Sequence, residues 1–299
     1  MIRNVDFMQQ NREHIYYFRY NNFITIMNRG EALKKFILWM VILLWGATSL
    51  QAENNDAYRY KWVGTFVKGS PYTSQVIASS MMWEGFADVI KRRWGEGYFL
   101  SDLKYGNGKW VGVFSKGTQW SNQAYDVTER WESMGAAIEK RWKQGFYVIA
   151  IEHGLSEWVA VYAKNSGFTN QSFERQKKLV KFQDKIMQRW KEGFELLDVE
   201  YGEGHWLGIF IKGPDYGKHA MSLRTNWKRF REAIQMQWDA GYQITSLSFG
   251  VGKWLGTFAD NTGYSAQGYE TAPTVSALSQ ILRKRQEDGF ALINLAEGW

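Results

Sequence analysis

The chain has 299 residues, no cysteine and a formal charge of +7. With 45% hydrophobic and 17% aromatic residues it can bury a sizeable core, and the absence of thiols excludes disulfides, thiolate metal sites and thiol catalysis. Residues 1–52 hold six Lys/Arg against three Asp/Glu, so the remainder carries only +4, too weak a bias to point to a nucleic-acid partner.

The first segment reads as a leader. From Met27, a basic stretch with Arg29, Lys34 and Lys35 runs into the apolar segment Phe36 to Trp45 and then a small-residue exit ending Ser49-Leu50-Gln51-Ala52. That order of basic, apolar and small residues is the pattern of a signal peptide, with cleavage expected after Ala52. Ten apolar residues fall short of the roughly 20 that a helix needs to cross a bilayer. No stable membrane anchor is therefore expected after cleavage, and a periplasmic or secreted location follows. Residues 1–26 fit no signal peptide of ordinary length and are read as a start-site artefact upstream of a true start at Met27. The expected organisation is 27–52 as signal peptide and 53–299 as a single five-repeat domain.

From Tyr58 onward the chain repeats with a period of 48 residues. Trp62, Trp110, Trp158, Trp206 and Trp254 form one column, Trp94, Trp142, Trp190 and Trp238 a second with Gln286 in the fifth place, and Trp83, Trp131 and Trp227 a third. Indoles that recur at fixed repeat positions are core residues first. Trp-x-Gly-x-Phe at Trp62/Gly64/Phe66, Trp110/Gly112/Phe114 and Trp206/Gly208/Phe210 has the two-residue period of a strand. A long loop follows. Phe86/Ile90/Trp94, Met134/Ile138/Trp142, Phe182/Ile186/Trp190 and Phe230/Ile234/Trp238 then recur at a spacing of four, which predicts one apolar stripe on a helix. Gly97, Gly145, Gly193, Gly241 and Gly289 mark where each helix must end in a left-handed residue. A second strand follows. Its apolar pairs three apart, such as Leu100/Leu103 and Ile244/Leu247, break strict alternation and predict a bulge. Gly-rich turns such as Gly106-Asn107-Gly108 then join it to the next Trp strand as a hairpin.

The fold class expected is an α+β repeat protein of five ββα units, closed into a five-fold propeller-like ring by pairing the first strand with the last. Closure would remove exposed sheet edges, and neither terminal copy has the polar face that caps an open array.

The segment between the first strand and the helix holds the candidate ligand-binding residues. An aromatic precedes an amide by three residues at Tyr72/Gln75, Trp120/Gln123, Phe168/Gln171 and Tyr264/Gln267, and the fourth copy has Tyr216/His219. Aromatic faces stack on sugars or peptides while amides fix orientation. The competing reading has the aromatic pinning its own loop and the Gln satisfying buried backbone.

Three spaced motifs carry a family resemblance: Lys116-Gly117-Thr118-Gln119, Lys140-Arg141-Trp142-Lys143-Gln144-Gly145-Phe146-Tyr147-Val148, and Ser166-Gly167-Phe168-Thr169-Asn170-Gln171. In these the chain resembles the domain of unknown function that follows the catalytic domain in plant casein-kinase-I-like kinases, here as an exported stand-alone protein. The resemblance implies an accessory, interaction-mediating domain and brings no catalytic residues with it.

No Walker-type loop, dinucleotide fingerprint, His-Glu-x-x-His or nucleophile elbow is present. His153, His205 and His219 are too scattered for a metal site, and no metal or cofactor is expected. Basic residues on the helices, such as Lys91, Arg92 and Arg93, alternate with acids and read as a solvated face. The favoured function is a non-catalytic module with five repeated binding loops for a glycan or a peptide or protein ligand, gaining avidity from their number. Two alternatives are a hydrolase-like enzyme with an asymmetric site in repeat four, from Asp215, His205 and His219, and a structural envelope protein.

Overall fold

A computed structural model describes residues 59–299. The readings of the start site, the leader and its cleavage lie outside these residues. Among the described residues no helix is long and apolar enough to cross a membrane.

The Trp columns organise the fold. The strands that carry the first column are β1 (Lys61–Lys68), β4 (Lys109–Lys116), β7 (Glu157–Lys164), β10 (His205–Lys212) and β13 (Lys253–Ala259). Each is the middle strand of a three-stranded antiparallel sheet, and its Trp is at most 2% exposed. On one side lies the hairpin partner predicted from the Gly-rich turn: β3 (Phe99–Gly106) beside β4, β6 (Tyr147–Gly154) beside β7, β9 (Glu195–Gly202) beside β10 and β12 (Gln243–Gly250) beside β13. The last strand, β15 (Ala291–Gly298), takes this place beside β1, so the first and last strands pair.

The other side of each sheet corrects the expected ββα unit. The segment read as loop contains a third strand: β2 (Ser74–Ser80), β5 (Asn122–Thr128), β8 (Asn170–Gln176), β11 (His219–Arg224) and β14 (Ala266–Ala272). These pair with β4, β7, β10, β13 and β1 respectively. They are outer strands, largely half-buried, so their sequences mix polar and apolar residues and show weak alternation. The unit is therefore three strands and one helix.

The helices are α1 (Trp83–Gly95), α2 (Trp131–Lys143), α3 (Leu179–Lys191), α4 (Trp227–Asp239) and α5 (Val275–Glu287). Phe86 and Ile90 on α1 are fully buried against Leu100, Trp110 and Phe114, and the other helices repeat this arrangement in four further clusters. Each helix stops as predicted. Gly97 has φ +78°, its N–H donates to the Trp94 carbonyl at 3.0 Å and the Tyr98 N–H reaches back to Arg93 at 2.9 Å, which satisfies the last-turn carbonyls.

The predicted bulge occurs in all four hairpins and in the β1–β15 pair. The register skips between Leu100 and Asp102, Val148 and Ala150, Leu196 and Asp198, Ile244 and Ser246, and Leu292 and Asn294. The hairpin strands neighbour one another in succession, β3 with β6, β6 with β9, β9 with β12, β12 with β15 and β15 with β3. Because the Trp of the middle strand is wholly enclosed, truncating it leaves a cavity that the sheet cannot close. Trp158→Ala is expected to cost about 3–5 kcal/mol of stability, read as a lowered denaturant midpoint; a loss under about 1 kcal/mol would contradict this account of the core.

Candidate functional site: a cavity shared by five loops

The amide column explains how neighbouring sheets are joined. Gln123, buried on β5, accepts the Trp94 indole N–H at 2.6 Å and the Leu100 N–H at 2.8 Å on one oxygen, and donates to the Leu100 carbonyl at 2.8 Å. Gln171 makes the same three bonds to Trp142 and Val148, and Gln267 to Trp238 and Ile244. In each case the Gln belongs to one sheet and its backbone partner to the hairpin strand of the sheet before it. Gln75 clamps Leu292 with bonds of 2.7 Å to both its N–H and its carbonyl. There Gln286 replaces the column Trp and bonds the Gln75 main chain instead, at 2.6 and 3.0 Å. The fourth copy departs, since His219 stacks on Trp190 with ring centroids 4.8 Å apart and its Nε2 lies 2.7 Å from the Glu195 carboxylate. The amides of Gln75, Gln123, Gln171 and Gln267 thus join sheet to sheet.

The aromatic column behaves differently. Tyr72, Trp120, Phe168, Tyr216 and Tyr264 are half-buried and all line one cavity of about 440 Å³. The five separate cradles expected from the repeat are therefore brought together as one. Main-chain bonds tie each loop to the next: Thr73 N–H to the Lys116 carbonyl at 3.0 Å, Ser121 to Lys164 at 3.1 Å, Thr169 to Lys212 at 2.8 Å, Gly217 to Asp260 at 3.2 Å and Ser265 to Lys68 at 3.1 Å. Close approach requires glycine at Gly117, with φ +84°, where a Cβ would overlap the Pro71 carbonyl oxygen of the neighbouring loop. The Tyr216 hydroxyl hydrogen-bonds that of Tyr264, and burial pushes both, together with Tyr72, above the usual tyrosine range.

The floor was not among the sequence candidates. It consists of the bulged residues Ser101, Ile149, Leu197, Thr245 and Ile293 with Asp102, Asp198 and Asn294 beside them. A bulge turns its extra residue out of the ladder, so the broken alternation that revealed the bulge was also the signal for the floor. Asp102 accepts N–H bonds from Leu103 at 2.7 Å and from Leu295 at 2.5 Å. Asp198 accepts from Val199 at 2.9 Å and Ile151 at 3.0 Å, and Asn294 accepts from Leu247 at 3.0 Å. Each of the three therefore takes an amide from a neighbouring sheet.

Behind this floor the column at Lys104, Glu152 and Glu200 buries one amine among carboxylates. Lys104 Nζ stands 3.1 Å from Asp198, 3.2 Å from Glu152 and 3.9 Å from Glu200. Burial alone would lower the amine, but Asp198, Glu152, Glu200 and Asp102 outweigh it and hold Lys104 well above its ordinary value. Burial pushes Asp102 and Glu200 up to about 7, and burial with the adjacent Glu200 raises Glu152 strongly. Of the repeat-four candidates, His205 sits at a turn with Nδ1 2.8 Å from the Glu203 carbonyl oxygen and Asp215 is exposed. His205, the first residue of β10, pairs with Gly202 at the end of β9 opposite Glu195, which His219 contacts, so the three do not assemble. His153 packs against Trp158 at 4.7 Å. Among the described residues no cluster of His, Asp or Glu has the makings of a metal site.

Residues 56–200 match the model of a domain of unknown function (DUF7477). The DUF7477 match takes in the first three middle strands and the segments that carried the family resemblance; its description names neither a kinase nor an activity. No curated protein and no solved structure matches the chain.

Two outcomes follow from these contacts. Gln123→Leu leaves the Trp94 indole and the Leu100 amide without partners, and a loss of about 2–4 kcal/mol is expected by denaturation; a neutral change would show that the amide does not join the sheets. Asp102 and Glu200 keep protons that the unfolded chain loses near pH 4, so the folded state binds more protons between about pH 4 and 7 and these groups make stability fall as pH rises. The difference in thermal midpoint between wild type and Glu200→Gln should therefore widen in favour of the variant from about pH 5 to 8, and a difference independent of pH would refute the assignment.

Proposed function

We propose that the protein is an exported, non-catalytic binding module whose five units close into a propeller-like ring around one ligand. The reading rests above all on one observation: the same loop position in all five copies contributes an aromatic side chain to a single cavity. Closure is supported by β1 holding both β14 and β15 and by the unbroken succession of hairpin-strand neighbours from β3 to β15 and back. Export is supported by the pattern from Met27 to Ala52. The resemblance to a kinase-linked accessory domain is consistent with a binding role.

Walls of aromatic faces with a few fixed polar groups behind them suit a ligand with a flat or ring-shaped apolar body, a glycan unit or a short peptide segment. Because the loops bond to one another in sequence, the cavity is formed before the ligand arrives and little ordering is needed on binding. One ligand per chain is expected.

The test is binding of the protein from residue 53 onward to glycans, cell-wall fragments and peptides, with Trp120→Ala alongside. A ligand that binds one-to-one and weakens at least about tenfold in a folded Trp120→Ala protein is the expected result; affinity unchanged by that substitution would move the site elsewhere. The His219–Glu195 pair borders the same cavity through Glu195, so the hydrolase alternative keeps a specific basis. Turnover of the bound ligand that disappears in His219→Ala would favour it over the binding module.

A further inference from the structure

The charge around the cavity runs against the charge of the chain. Three carboxyl residues, Asp102, Asp198 and Glu195, are among its lining, and no Lys, Arg or His is. The lysines that end four of the middle strands are turned onto aromatics outside it, Lys68 over Phe290 at 4.8 Å, Lys116 over Tyr98 at 4.4 Å, Lys164 over Phe146 at 4.8 Å and Lys212 over Phe194 at 4.6 Å, and Lys218, in the loop of the fourth copy, is exposed and outside the lining. Behind the floor, Lys104 faces Asp198, Glu152 and Glu200 as well as Asp102. One amine among four carboxyl groups leaves the floor short of positive charge.

Resting on the binding-module reading above, we propose that the ligand is a small organic cation whose ammonium group enters between the five aromatic side chains and is held over the Asp102 side of the floor. Aromatic faces attract cations most strongly when both are shielded from water, and the carboxyl groups behind them add to the attraction as they ionise in the same low-dielectric enclosure. Asp198 is engaged by Lys104 and Glu195 by His219, whereas the acceptor bonds of Asp102 come from the neutral amides of Leu103 and Leu295. Asp102 is thus the lining carboxyl without a basic side chain at salt-bridge distance. The groups facing it are Lys104 on its own strand, Asp198 on β9, the Leu295 amide on β15 and Tyr72 from the loop above.

A bound cation favours the ionised carboxyl, so binding should expel a proton from Asp102 and strengthen as the pH rises through its neutral range. The experiment compares charged probes with neutral twins by calorimetry or NMR titration: choline against 3,3-dimethylbutan-1-ol, and glucosamine against glucose. The first pair reports a quaternary ammonium and the second an amine borne on a sugar. At least one cation should bind one-to-one and about tenfold or more tighter than its twin, and choline, whose charge does not titrate, should gain affinity from about pH 6 to 8. Asp102→Asn should abolish that rise; should the variant not fold, the wild-type profile with choline still decides. Neutral twins that bind as well as both cations overturn the cation assignment and leave the binding module standing. Failure of every probe, together with a blank array of glycans and peptides, overturns both.

Discussion

The bulge in each hairpin strand is the constraint on which the rest of the structure depends. One extra residue between Leu100 and Asp102, and at the four equivalent places, breaks the pairing with the middle strand. At four of the five bulges, the main chain of the residue before is held by a Gln from the next sheet. At three, the side chain of the residue after it accepts an amide from a neighbouring sheet. The extra residue itself faces the cavity. A single local irregularity thereby supplies the joints between units and the floor of the candidate site. A regular ladder would turn this main chain towards its own partner strand and leave the sheets to meet through side-chain packing alone.

The site combines a repeated wall with an unrepeated floor. Five copies of one loop place comparable aromatic surfaces around the opening, while the floor positions Asp102, Asp198 and Asn294 alternate with Ala150 and Ser246. The copies diverge in chemical character at these floor positions. Next to the floor, the column of Lys104, Glu152, Glu200, Ser248 and Ala296 places charged residues in three successive copies and none in the other two. A repeat architecture can acquire a directional pocket in this way without changing the packing of any helix.

Most of the frame was legible in the sequence because it rests on periodic burial. The Trp columns, the helical stripes ending at Trp94, Trp142, Trp190 and Trp238, the terminating glycines and even the bulges follow from spacing alone. The outer strand of each sheet escaped detection because β2, β5, β8, β11 and β14 are half-buried and polar, so burial imposes no strict alternation on them. The loop pair of aromatic and amide was legible as a motif, but its two members belong to different structures. Spacing could not separate Gln123, which bonds across a seam between sheets, from Trp120, which reaches the cavity. Nor could it reveal Asp102 and Asp198, which occupy a strand position where two of the five copies have Ala or Ser.

The sheet that contains β1 takes its other two strands, β14 and β15, from the far end of the chain, and the bonds between Gln75 and Leu292 span 217 residues. Contacts of such sequence separation form late, because their loop-closure entropy is met before they contribute. While the chain is still being synthesised, β1 therefore waits with both edges unpaired until the final 34 residues have emerged. Removal of β14 and β15 would strip the shelter from β1, the first strand among the described residues, so that damage late in the domain would be felt as exposure early in it.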